Sequence, residues 1–385
     1  MILEKYYDGI EVHREEKIVY VKFLSPHRVI STDRIAGGLS DEFKYLYNHQ
    51  SCEPSGHDHQ HDLAILNPVE YRRIVCEPHG LPPEQCASLG TAANMNNLAI
   101  CHASYRELEV VTVCTGGVET NAGRAGDPAS YYEHDGSFES VEGGADSPSP
   151  AEKHGTINTM IFISRELIPG AMVRAVMTAT EAKAAVLQEL AVHSRFSDGL
   201  ATGTGTDQIG IASRLDGGTP LTVAGKHMKL GELIGKTVHD AIKQTLALQN
   251  NLTPKGQCSA TVHIARLGTD KDSFCAEVET YLKESEADLL RKNFVSINND
   301  PMTVAAVAAL VHLRDKFVWG MLPKSCMPEI MSSYGAQIAA AVSGKPDRIP
   351  LYRKKLSEGK KSIDNEAFLR LIYRSFALGF GAKWS

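Results

Sequence analysis

The strongest constraint on the fold is a change of pattern near residue 270: before it, short apolar runs alternate with long amphipathic stretches, and after it only three- and four-residue apolar spacing remains. Two-residue alternation runs through 10–31, with Ile10 and Val12 and then Ile18 and Tyr20 set against Val19, Val21 and Phe23, and Ile35-Ala-Gly-Gly38 then requires a turn. Leu98–Cys101 and Leu108–Cys114 read as neighbouring strands, Ile157–Ile163 as a continuous strand, and Ile209–Ala212 and Leu221–Val223 as short ones. Pro169 opens a helix that runs to about Val192 on a stripe including Val173, Val176, Ala179, Val186 and Leu190, and a second long helix spans Leu230 to Leu248. Strands alternating with helices predict an α/β class, a layered mixed sheet with packed helices. A further strand is expected at Thr261–Leu267, returning to that sheet. Helical segments at 276–293, 301–319, 328–343 and 364–378 then predict an appended all-helical unit, dividing the chain into residues 1–268 and 269–385.

Two stretches break the periodicity. Residues 40–62 turn polar and end in Gly56-His57-Asp58-His59-Gln60-His61-Asp62, which reads as an excursion loop; 130–150 is acidic and rich in Ser, Gly and Pro, which reads as a mobile surface insertion or a lid. With 40 Lys and Arg against 46 Asp and Glu, a net charge of -6 offers no basic footprint for nucleic acid. The first residues lack the basic start and apolar stretch of a secretory signal, and no run is long enough to span a bilayer, so a cytoplasmic protein without a membrane partner is expected. Eight cysteines with no C-x-x-C pair fit small core residues in a reducing compartment.

Common catalytic signatures are missing: there is no G-x-S-x-G elbow and no H-E-x-x-H zinc helix. Gly203-Thr-Gly205-Thr-Asp-Gln208 begins like a dinucleotide fingerprint, but Gln208 stands in the place of the third glycine and the segment follows a helix. Gly231-Glu-Leu-Ile-Gly235-Lys236-Thr237 is one residue short of a phosphate loop and lies on the apolar stripe Leu230, Leu233, Ile234 and Val238. His57, His59 and His61 would share one face of an extended segment and could hold a divalent ion, although the loop context favours solvated polarity. What remains is five polar clusters: Thr120–Asp127, Gly155–Asn158, Thr178–Lys183, Thr202–Asp207 and Gly225-Lys226-His227. Their glycines let backbone approach a ligand, Thr, Asn, Lys and Arg donate hydrogen bonds, and Asp127, Glu181 and Asp207 offer carboxylates for proton transfer. Asp127 could instead cap a helix, and Glu181 and Lys183 could lie on a solvated helix face. Composition and spacing alone reach an α/β enzyme, a hydrolase or group transferase.

The same clusters, in this order, resemble the adenosylcobinamide amidohydrolase (CbiZ-type) family: Ala125-Gly-Asp127-Pro, Gly155-Thr-Ile-Asn158, Ala171-Met-Val-Arg-Ala-Val-Met-Thr-Ala-Thr-Glu-Ala-Lys183, Ala201–Asp207 and Gly225-Lys-His-Met-Lys-Leu-Gly-Glu-Leu-Ile-Gly235. Gly37-Gly38 and Thr91-Ala-Ala93 are similar too, and the likeness fades after about residue 260. It implies hydrolysis of the amide joining the aminopropanol arm to the corrin ring of adenosylcobinamide, releasing adenosylcobyric acid, with the corrinoid as substrate and no cofactor required; a divalent metal and a homo-oligomer are left open. The catalytic candidates are Asp207 or Glu181 as base, Lys183, Asn158 or the Thr204–Thr206 amides as oxyanion donors, and His227 or Lys226 as acid. Substrate contacts are expected from Asn121, Arg124, Asp127, Thr156, Asn158, Thr180, Thr202, Thr204, Thr206 and Lys226, and a covalent route through Thr202, Thr204 or Thr206 stays open. The competing expectations are a non-catalytic corrinoid- or tetrapyrrole-binding protein and a metal-dependent hydrolase of another amide that uses His57, His59 and His61.

Overall fold

The apolar runs become strands and the amphipathic stretches helices, in the order β1 (Ile2–Tyr6), β2 (Ile10–Glu15), β3 (Ile18–Phe23), β4 (His27–Ser31), β5 (Gly38–Ser40), β6 (Tyr45–Gln50), α1 (His59–Leu66), α2 (Pro68–Cys76), β7 (Cys86–Thr91), β8 (Ala99–Tyr105), β9 (Leu108–Gly116), β10 (Ala122–Gly123), β11 (Tyr131–His134), β12 (Ser137–Ser140), β13 (Ile157–Ile163), α3 (Pro169–Glu189), β14 (Gly203–Thr204), β15 (Gln208–Arg214) and α4 (Lys229–Asn250). Seven more helices follow: α5 (Ala260–Ile264), α6 (Lys271–Glu279), α7 (Glu284–Asn298), α8 (Pro301–Val318), α9 (Met327–Ser343), α10 (Ile349–Ser357) and α11 (Asn365–Gly381). The structure is a computed structural model that describes residues 1–51, 59–141, 155–358 and 362–384, with only the backbone described at 59–62.

Residues Met1–Thr253 and Pro254–Ser385 form two compact units. In the first, a five-stranded sheet (β1-β2-β3-β6-β7) and a six-stranded sheet (β5-β4-β15-β13-β9-β8) are antiparallel except at β6/β7 and β13/β15. Their inner faces meet through Val12, Val21, Leu46 and Leu89 on one side and Val111, Val113, Met160, Phe162 and Ala212 on the other. Helices α3 and α4 cover the outer face of the six-stranded sheet, packing Ala171, Met172, Ala175, Leu233, Ile234 and Ile242 on Cys114, Ile161, Ile163 and Ile211. Helix α2 covers the other sheet with Tyr71, Val75 and Cys76 against Ile18, Tyr20, Tyr47 and Cys86. The result is four layers, helix, sheet, sheet and helix, with two stacked sheets where the sequence pattern predicts one mixed sheet. Burial of each large aliphatic or aromatic side chain stabilises this stack by about 1.5–3 kcal/mol.

Several local expectations are corrected. Residues 45–50, expected in a loop, form β6 between β3 and β7, because Asn48, His49 and Gln50 are polar but buried and therefore hide the strand pattern. Thr261–Leu267 is helical (α5 and the 3-10 turn Ala265–Leu267) and belongs to the second unit, so the division falls after Thr253 rather than at 268. Leu221 makes a single bridge to Leu167 and no strand. Within the expected insertion, β11 and β12 pair as a hairpin turning at Asp135 and Gly136, both at positive φ. The helix expected over 276–293 is broken at 280–283, where Glu286 accepts a hydrogen bond from the Lys283 backbone and caps a new helix.

The second unit is all-helical, as expected, around Phe274, Phe294, Phe317, Phe368, Phe376 and Phe380. Among the described residues no single helix is long and apolar enough to cross a membrane; α7 and α8 pass that test only together, across a 79° bend. Cys76, Cys86 and Cys114 are buried and unbridged, which fits small core residues, whereas Cys326 is exposed.

Candidate active site

Five of the residues singled out by sequence meet around Asp207, which stands at the N-terminal edge of β15. One oxygen of Asp207 accepts hydrogen bonds from the Ile157 backbone N–H (2.8 Å) and the Thr204 hydroxyl (2.6 Å). The other accepts from the Thr204 backbone N–H (2.9 Å) and pairs with the Lys183 ammonium, which α3 brings across the sheet. Four donors fill the acceptor sites of one carboxylate, so Asp207 fixes the turn 203–207 onto the start of β13. Gly203 is required there, since a Cβ would collide with the Asp207 carboxylate and press on the Lys183 ammonium. The cluster is not sealed: side-chain exposure is 11% at Asp207 and 17% at Lys183, while Gly205 and Thr206 are exposed.

Beside it, the Thr156 and Thr206 hydroxyls lie 2.7 Å apart, and Thr206 donates to the Gly155 carbonyl at 2.9 Å. The Asn121 amide nitrogen donates to that same carbonyl and to the Thr206 hydroxyl (3.3 Å). Because the Gly155 carbonyl only accepts, the nitrogen of Asn121 must face it, which fixes the orientation of the amide. Among the described residues the buried Asn121 Oδ1 then has no partner, on a residue 2% exposed. Gly155 sits at φ +140°, where a Cβ would strike that oxygen.

Behind these groups, between the sheets, lies a layer that sequence reading missed. Asn158 Nδ2 donates to Asn48 Oδ1 (2.8 Å) and to the Gly90 carbonyl (2.9 Å), and Asn158 Oδ1 accepts from the Gln208 N–H (3.2 Å). Asn48 donates on to Thr115 (2.8 Å), and the Gln208 side chain accepts from the Gly90 N–H (2.7 Å). Asn158, expected as an oxyanion donor, is 1% exposed and both its amide protons are engaged, so it knits the strands together and presents no free donor to a substrate. Further inward, the Asp33 carboxylate pairs with Arg72 of α2 and accepts from the backbone and hydroxyl of Ser88 (2.6 and 2.8 Å) and from Ile35 N–H (2.8 Å). Its only sequence signal is its place before the Gly37-Gly38 turn.

The remaining candidates stand outside this cluster. Asp127 accepts from the Arg124 N–H (2.7 Å) and the Ser194 hydroxyl (2.5 Å) and caps a turn, not a helix. Burial raises its pKa, but hydrogen bonds from Ser194, Ser197 and the Arg124 amide outweigh this and hold the carboxyl below its usual range. Thr202 accepts from the Ala125 N–H (2.9 Å), joining the same loop to β14, and Arg124 is exposed beside it. Thr180 turns back onto the Val176 carbonyl of α3 (2.9 Å). Glu181 forms an exposed ion pair with Lys226 at 2.5 Å and has no bond into the Asp207 cluster. Two positions apart on a helix, Glu181 and Lys183 point to nearly opposite sides. His227 is exposed. Among the described residues no three His, Cys, Asp or Glu side chains gather as a metal site; the side chains of His57, His59 and His61 lie outside the described residues.

The polar cluster therefore lies at the N-terminal ends of the parallel pair β13/β15, the end opposite to the carboxyl edge that ligands usually take in open α/β sheets. An uncharacterized protein of Methanocaldococcus jannaschii is 36% identical over 241 residues, 62% of this chain and 89% of its own length. The model of the adenosylcobinamide amidohydrolase family matches residues 3–254, which take in both sheets, the Asp207 cluster and α4 and leave out the helical unit. The chain belongs to the adenosylcobinamide amidohydrolase family.

Proposed function

We propose that the protein hydrolyses the amide between the aminopropanol arm and the corrin ring of adenosylcobinamide, releasing adenosylcobyric acid. The observation that carries the reading is the Lys183, Asp207 and Thr204 chain, held at 2.6 Å between hydroxyl and carboxylate and placed at a solvent-open edge. Amide hydrolysis needs a nucleophile with a base, a donor for the developing oxyanion and a proton for the leaving amine. Asp207 and Lys183 answer the proton requirements, and Gly205 and Thr206 beside them are exposed. The exposed Thr206, beside the Thr156 hydroxyl, offers a neutral polar contact suited to the amide-rich rim of a corrinoid. The corrinoid is substrate in this reading.

The test is to incubate the purified chain with adenosylcobinamide and weigh the products. Formation of the cobyric acid is expected, and its rate is expected to survive a chelator. Tight binding without product would favour a binding protein, and chelator inhibition reversed by a divalent ion would favour a metal-dependent amidase.

A further inference from the structure

We infer that Thr204 is the nucleophile of this hydrolase and that the reaction passes through an ester on its hydroxyl; the inference rests on the amidohydrolase reading above. Three threonines share the loop, and their hydrogen bonds separate them. The Thr202 hydroxyl accepts the Ala125 N–H and stitches two loops together. The Thr206 hydroxyl donates to the Gly155 carbonyl, which cannot take a proton. Only the Thr204 hydroxyl donates to a carboxylate, Asp207 Oδ1, at 2.6 Å. The remaining acceptor positions of Asp207 hold Ile157 N–H, Thr204 N–H and Lys183, so water reaches this base only by displacing one of them. The proton that Asp207 is placed to remove is therefore that of Thr204, and Lys183 holds that carboxylate in position.

Thr204 is half-buried, and the neighbouring Gly205 faces open space, since a Cβ there would meet nothing within 4 Å. In the first half-reaction Thr204 Oγ1 bonds to the amide carbonyl carbon, its proton passes to Asp207, and the oxyanion turns to the Gly205 N–H, since the Thr204 N–H is held by Asp207 and the Thr206 N–H by Thr204 Oγ1. The C–N bond then breaks, and the amine leaves with the proton from Asp207. Water next adds to the ester, gives a proton to Asp207 and frees the acid as that proton returns to Oγ1. The sum is amide plus water to acid plus amine.

Acid-quenched turnovers of adenosylcobinamide, digested with trypsin, test this on the peptide Phe196–Arg214. Wild type and Thr204→Ser are expected to carry the corrinoid acyl mass on that peptide or, where the ester breaks down too fast to trap, to divert product to a hydroxamate in hydroxylamine. Thr204→Ala is expected to lose both signals and about 10³-fold or more in rate. Acid formed by Thr204→Ala within about tenfold of wild type, or acid formed by wild type with neither ester nor hydroxamate, overturns the proposal and leaves the substrate reading standing. Failure of wild type to form any acid overturns both.

Discussion

Two carboxylates flank the same strand edge and have opposite fates. Thr32, next to Asp33, exchanges hydrogen bonds with Ile209, two residues beyond Asp207. Both carboxylates are saturated with donors and both meet a cation. Asp33 is fully enclosed, its side chain 0% exposed and Arg72 7%, beneath α2 between two layers. Asp207 keeps an open side, and one of its donors is a hydroxyl able to give up its proton. The same acceptor chemistry is a rivet at Asp33, where backbone and guanidinium surround it; in the reaction proposed above it acts as a base at Asp207, where one of the donors is a hydroxyl. Access and donor type divide the two roles; charge does not.

The comparison is broken most sharply by Asp207→Asn, which keeps the size and loses the base: turnover per folded molecule is expected to fall about 10³-fold, near 4 kcal/mol, whatever stability is lost with the Lys183 pair. A large loss of stability with rate preserved in the folded fraction would make Asp207 a second rivet. Arg72→Met should do the reverse, leaving Asp33 buried and unpaired at a cost of about 3–5 kcal/mol, read from urea unfolding, with turnover per folded molecule unchanged.

Acid sensitivity is expected from His27, at the far end of β4, which is 0% exposed and stacked on Phe23. Desolvation lowers its pKa to about 4 despite the Ser25 carbonyl that accepts from it, and the Arg214 charge adds to the lowering. The unfolded chain then takes up this proton first, near pH 6.5, so the contribution of His27 is complete above that pH and fades as pH falls from about 6.5 to 4, about 3 kcal/mol in all. A stability profile that keeps its acid limb in His27→Phe would refute this assignment. Asn48→Ala should cost about 1–3 kcal/mol, because it strips partners from the buried Asn158 and Thr115. Smallest of all, Glu181→Gln removes only an exposed ion pair and should change stability by under about 1 kcal/mol with turnover near wild type; a collapse of the rate would restore Glu181 as a base.

Much of the architecture was legible because burial on one face leaves a period. The runs at 108–114 and 157–163 and the long helices after Pro169 and at Leu230 all stand where their apolar residues put them. Asp207, Lys183, Thr204, Thr206, Thr156 and Asn121, chosen as polar residues in apolar surroundings, converge in space. The same rule failed at β6, where a strand end is buried against other polar groups and so lacks the alternation that marks a strand. It also grouped Glu181 with Lys183, although helix geometry sends them apart.

By itself the sequence determined the layered α/β class, the helical unit that follows and the family to which residues 3–254 belong, since all three rest on local periodicity and on short motifs whose order along the chain is sufficient. Only the tertiary structure decided which polar residues share one end of the sandwich and which of them water can reach. Asn158 meets Asn48 across 110 residues and Asp33 meets Arg72 across 39. Such pairs arise when two sheets and a helix stack, and no local pattern encodes that stacking.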